Sequence, residues 1–170
     1  MTKHALGLAL MLWLAAPASS LAQSTSSVAH SLGRIDFPTS GKAAAQPHFV
    51  KGVLLLHSFE FDDAAEAFAE ARKADPAFAM AYWGEALTHT HPLWRYRNRE
   101  AGLKVLDALA PTPEARQAKA PTAREKAYLR AVDTLYAEDD HVAALRAYEQ
   151  AMARVAREFP KDDEAATLHA

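Results

Sequence analysis

The chain has 170 residues, 50% of them hydrophobic, which is enough for one ordinary domain with a sizeable core. Its formal charge of −2 and pI near 6.4 leave no basic surplus, so nothing electrostatic points to a nucleic-acid partner. The absence of cysteine excludes disulfide staples, zinc–thiolate sites and thiol catalysis, and scarce Gly beside heavily used Ala favours helix throughout.

Residues 1–22 read as an export signal. Lys3 and His4 form a short positive start, Ala5 to Ala16 is an apolar run, and Ser20-Leu21-Ala22 is a small-residue cleavage site. Cleavage after Ala22 would leave a net charge of −3 and place the protein in the periplasm or outside the cell. An apolar run of about a dozen residues closed by Pro17 is short for a bilayer span. No membrane association is expected once it is removed. Residues 23–46, rich in Ser, Ala and Thr with Pro38 and Gly41, read as a flexible linker or draped arm. Ile35 and Phe37 are its candidates for docking on the first hairpin.

The helices follow in order. The first is predicted from about Pro47, a favourable first helical position, to Phe59. The second, opened by Asp62, runs from Asp63 to about Lys73, and the third from Ala77 to Thr90. A fourth spans Asn98 to Leu109, after the extra loop His91–Arg97. Pro111 to Pro121 is read as a long connection. Thr122 and Glu125 make a capping box for a fifth helix from Ala123 to Tyr136, and Asp140 caps a sixth that reaches Phe159. Residues 162–170 start a further, incomplete helix.

Gly52, Leu55, Ala64, Phe68, Ala71 and Pro76 fall at the spacings of one tetratricopeptide repeat, a helix–turn–helix unit of about 34 residues. Small residues at three of these places let two helices approach, while Phe68 and Leu55 fill the seam. Ala101, Val105, Ala108 and Pro113 restate the second half of the unit, and Tyr128, Val132, Leu135, Ala144, Tyr148 and Ala151 restate it again 80 residues after the first copy. From about Gln46 to Ala170 the chain therefore resembles the tetratricopeptide-repeat family, with residues 47–161 as three helical hairpins. Three registered copies carry the resemblance, with departures at His89, which stands where Leu55 does, and at a late Pro160. The resemblance implies an all-α fold, a right-handed α-solenoid of antiparallel helix pairs whose first helices line a concave face that holds a peptide or protein partner.

In such a stack, residues 34 apart lie over one another. Phe49 with Trp83, Val53 with Leu87, and His57 with His91 are then expected to line the groove, with Trp94 in the neighbouring loop. Tyr82 and Trp83 cannot both face one neighbour, so one of them should face the groove. Arg95, Arg97 and Arg99 read as a solvated basic lid. His57, His89, His91 and Glu85 are competent metal ligands, but His89 and His91 point to different sides of a helix and no His pair has three- or four-residue spacing. A metal-binding periplasmic protein is kept as the alternative, without an assigned metal or cofactor. The chain has no Gly-rich phosphate loop, no Gly-x-Ser-x-Gly elbow and no His-Glu-x-x-His pair, so no catalytic residue is assigned and an enzyme is not expected. The sequence thus points to an exported protein- or peptide-interaction module. The short C-terminal helix reads as an uncovered end near Leu135, Ala151, Val155 and Leu168. That end belongs either to an inactive N-terminal piece of a longer solenoid or to a self-associating surface.

Overall fold

The computed structural model describes residues 32–169, so the expected signal and its cleavage site lie outside the described residues. Eight α-helices account for most of what is described: α1 (Gln46–His57), α2 (Phe61–Ala74), α3 (Ala79–Leu87), α4 (Arg99–Leu109), α5 (Pro113–Lys119), α6 (Ala123–Ala137), α7 (His141–Glu158) and α8 (Asp163–His169). The chain is an all-α protein in architecture. Helix starts follow local chemistry. Asn98, Thr112, Thr122 and Asp140 each accept a hydrogen bond from the amide three residues on, satisfying a donor that the first turn leaves free.

α1 packs on α2, α3 on α4 and α6 on α7, each pair joined by a connection that brings the second helix back along the first. The first helices α1, α3 and α6 also lie side by side, α3 touching both of the others. What lets α1, α2 and α3 meet so closely is a ring seated on glycines. A Cβ built at Gly52 would stand 2.7 Å from the buried Phe68 ring, and one at Gly84 2.3 Å from it. The seam expected at Gly52, Ala64, Phe68 and Ala71 is thus present, and Gly84 of α3 completes it. A similar approach occurs at Gly102, where a Cβ would stand 2.2 Å from the Tyr136 ring.

Two expectations about the connections are corrected. The residues after α3 are not a plain loop: Thr90–His91 (β1) and Tyr96–Arg97 (β2) pair antiparallel across a 3₁₀ turn at Pro92–Trp94. Arg97 then reaches back to the end of α6 and donates to the carbonyls of Leu135 and Glu138, each at 3.0 Å, satisfying acceptors that a helix end leaves over. Pro111 to Pro121 contains α5, whose start is written in Thr112-Pro113-Glu114 as cap, first-turn proline and first-turn acid. Its Arg116 is buried, with a partner for each of its three nitrogens. Nε donates to the carbonyls of Leu106 and Ala110, while the two terminal nitrogens bond Asp133 and Asp107 at 2.6 Å. One guanidinium therefore caps α4 and pins α5 to α6. Burial pushes the Asp133 carboxyl above its ordinary range, and Arg116 pulls it back only in part.

The C-terminal residues expected at an uncovered surface are mostly covered. Leu135, Ala151 and Val155 are buried, and Leu168 is half-buried on α8, whose Ala165 is fully enclosed. Ala151 and Val155 do border a cleft of about 440 Å³ between α5, α6 and α7.

The glycine seat predicts the response to one added methyl. Gly84→Ala should lower stability by about 1 to 3 kcal/mol through overpacking against Phe68. Combining it with Phe68→Leu should cost less than the two single changes added together. Additive denaturation midpoints across this cycle would show that the two residues do not share the seam.

Candidate functional site

Two places on the described residues gather the chemistry that the sequence singled out. The first is the seam of α1, α3 and α6, and it is already full. Residues 32–39 have no regular secondary structure, yet Phe37 is only 2% exposed. Its ring lies 5.3 Å from that of Phe49 on α1, 5.9 Å from Trp83 on α3 and 5.5 Å from Tyr128 on α6, centroid to centroid. The edge-on geometry toward Phe49 and Trp83 sets ring edges against ring faces, the favoured arrangement for such quadrupoles. The Arg124 guanidinium covers the Phe37 ring at 4.5 Å and the Tyr128 ring at 5.1 Å.

Polar groups hold the arm by its backbone. Arg124 donates to the Pro38 carbonyl at 2.9 Å, Gln46 to the Phe37 carbonyl at 2.9 Å, and the Ser40 amide donates to Glu125 at 2.7 Å. Glu125, expected only as the second half of a capping box, thus serves the arm as well as accepting from the Thr122 hydroxyl. The Lys42 amide donates to Asp75 at 3.0 Å, and Gly41 lies so close to Phe78 that a Cβ there would stand 2.7 Å from its ring. From the other side Asp162 accepts from both Arg124 and Tyr128, and Glu164 meets His57 Nε2 at 2.7 Å.

The expected groove residues are therefore placed as follows. Phe49, Val53, Trp83 and Leu87 are buried, so the open groove expected there is corrected to a seam that the chain itself fills, with Phe37 against Phe49 and Trp83. Trp83 is the one of the aromatic pair that faces the seam, but it faces Phe37. Tyr82 turns the other way, donating to the Pro76 carbonyl beneath Arg72. His57 and His91 engage different neighbours, His57 the Glu164 carboxylate and His91 the Phe61 ring, stacked at 3.7 Å and 13°. Glu85 pairs with Arg72; burial raises its pKa and Arg72 opposes that rise. Among the described residues no three His, Asp or Glu side chains come together as metal ligands.

The second place is an exposed aromatic patch at the tips of the first two hairpins. Leu93 is 72% exposed, Trp94 59%, Phe59 53% and Tyr96 48%, with His91 and Phe61 between them. Phe59 and Phe61 lie 5.6 and 5.9 Å from Trp94, and Tyr96 lies 4.8 Å from His91. Two backbones are held in the left-handed region to make it, Phe59 at φ 62° and Arg95 at φ 53°. Phe59 sits just past α1, where its amide donates to Leu56 and the next amide to Leu55, the bonding of a Schellman turn whose usual occupant there is glycine. Of this patch His91 and Trp94 were expected among the partner contacts, and Tyr96 beside the basic cluster of the lengthened loop. Nothing in the pattern brought Phe59 and Phe61 to them.

No protein-family model matches the chain, and neither the curated proteins nor the solved structures give a match. Fold and site together define an all-α protein of paired helices carrying an internally occupied seam and an exposed aromatic surface. No helix among the described residues is long and apolar enough to cross a membrane.

Two carboxylates on the arm's margin set an acid response. The Lys42 amide holds Asp75 below its ordinary value of 3.8 against the upward push of burial, helped by the Ala77 amide and the Lys42 ammonium. Burial would raise Asp162, but the bonds from Arg124 and Tyr128 outweigh it and leave that carboxyl below 3.8 too. Groups depressed in the folded state stabilise it above their unfolded value and lose that contribution as pH falls through the folded one. Amide-exchange protection at Lys42 should therefore hold from neutrality to about pH 4 and fall below it, before the helices melt. Equal protection factors at pH 3 and pH 6 would show that these carboxylates do not hold the arm.

Proposed function

We propose that the chain is an exported protein-interaction module of the tetratricopeptide-repeat type, a right-handed solenoid of helical hairpins, and that a partner protein docks on its aromatic patch. Export rests on the charged, apolar and small-residue pattern of residues 1–22. The repeat reading rests on three registered copies of one hairpin pattern and on first helices that lie side by side.

The observation that carries the docking surface is Phe59. Holding a non-glycine residue in the left-handed region costs about 1 to 2 kcal/mol. Here that residue is an exposed aromatic that adds little to the core. Backbone strain and a large apolar side chain in water are each unfavourable for the isolated fold, and both become useful when another surface covers the ring. Phe59 meets Trp94 and Phe61, and Phe61 stacks on His91, which in turn meets Tyr96. Rigid aromatics of this kind supply most of the binding energy in protein interfaces, because they bury much area and lose little entropy. An apolar or aromatic segment of a partner protein suits such a surface.

Phe59→Gly and Trp94→Ala test this with opposite side effects. Glycine relieves the strain, so Phe59→Gly should leave stability within about 1 kcal/mol of the parent or raise it. Both changes should weaken capture of the partner from the exported fraction by about 2 kcal/mol or more. Unchanged capture with intact helical circular dichroism would remove the patch from the binding surface.

A further inference from the structure

The arm that fills the seam is held in a way that reads little of its sequence. Of residues 35–41 only Phe37 is buried; Asp36, Pro38 and Ser40 are exposed, and Ile35, Thr39 and Gly41 are half-exposed. Arg124, Gln46 and Glu125 bond to backbone carbonyls and an amide, groups that any peptide carries. The selective parts are the aromatic pocket made by Phe49, Trp83 and Tyr128 and roofed by the Arg124 guanidinium, with lesser readings at Thr39, whose hydroxyl donates to Gln46, and at Gly41, where Phe78 leaves no room for a Cβ. This is the division of labour of a peptide site: main-chain bonds hold the segment and a pocket selects one side chain.

The surroundings fit a segment that can leave. Clefts of about 520 Å³ flank the arm on both sides, one bordered by Asp36, Pro38, Arg124 and Asp162 and the other by Ile35, Thr39, Gln46 and Val50. The arm joins α1 through a turn at Lys42–Ala44 whose residues are exposed. No helix-to-helix hydrogen bond runs through residues 35–41, so lifting them undoes no helix ladder.

We propose that the seam of α1, α3 and α6 is a binding site for an extended peptide that presents a phenylalanine to the pocket, and that residues Ile35–Gly41 are its occupant in cis. A partner's segment of that chemistry displaces the arm and takes the same pocket and the same backbone bonds. Because the arm is tethered, it competes at a high effective concentration, and the site answers only to a tighter or locally concentrated partner. This site is separate from the aromatic patch, and its test does not depend on that reading.

The test uses the full chain with a protease site placed in the exposed Lys42–Ala44 turn, cut after folding, and a fluorescent peptide of residues 32–42 as probe. Uptake read by anisotropy should be about 100-fold tighter in the cut chain than in the uncut one, as release from a tethered competitor requires. A probe with its phenylalanine changed to alanine should not compete. Uncut Phe37→Ala and the milder Phe37→Leu should both take up the probe more tightly than the uncut parent. The proposal is overturned if the cut chain refuses the probe, if the alanine probe competes equally, or if both Phe37 variants lose helical structure without rescue by the probe. Dimers that depend on Phe37, formed by an uncut chain that ignores the free probe, would overturn it in favour of arm exchange between two copies.

Discussion

One phenylalanine ring from outside the helices joins the three helices that open the hairpins. Phe37 touches α1, α3 and α6 at once through Phe49, Trp83 and Tyr128. Helix pairs of this kind bury their internal seams well but leave the faces of their first helices apolar, and something must cover them. Here the cover is the chain's own arm. Arg124 then ties this apolar contact to the C-terminal segment, since the guanidinium that roofs Phe37 also bonds Asp162. Arm, seam and the segment leading into α8 therefore share one guanidinium.

A second constraint acts at right angles to the first. Phe68 can sit between α1, α2 and α3 only because Gly52 and Gly84 have no Cβ, and Tyr136 can approach α4 only because of Gly102. These are close approaches of backbone to ring, not turns. They place the tips of the first two hairpins side by side, so that the α1–α2 connection and the β1–β2 excursion share one surface. The aromatic patch is a product of that packing. Phe59 and Trp94 are 35 positions apart in sequence and 5.6 Å apart in space.

Two arginines show why charge patterns are poor guides to binding in a helical chain. Arg97 looked like one member of a solvated basic cluster, yet it bonds carbonyls at the end of α6. Arg116 lay in what read as a connection, yet it is buried with two carboxylates and two carbonyls. Helix ends leave acceptors unpaired, and a fork of five donors is well shaped to satisfy several at once. A basic residue near a helix end has this use before it has any other.

How far the residues speak for themselves follows from which forces are local. Most helix positions, the caps at Thr122 and Asp140, and the small-residue seam around Phe68 were legible, because capping and helical periodicity depend on neighbours a few positions apart; α2, expected to open at Asp62, begins at Phe61 without a side-chain cap. The start of α5 is written just as locally in Thr112 and Pro113. The side-by-side pairing of Phe49 with Trp83 was legible too, from the 34-residue spacing. Which of its faces stays open was not. That depended on whether Phe37, from a stretch without periodicity, would fill the seam, and on where Asp162 and Glu164 would land more than 30 and 100 residues from their partners. Local pattern sets which surfaces are apolar; only the tertiary structure decides which of them the chain covers itself, because that choice rests on contacts no spacing encodes.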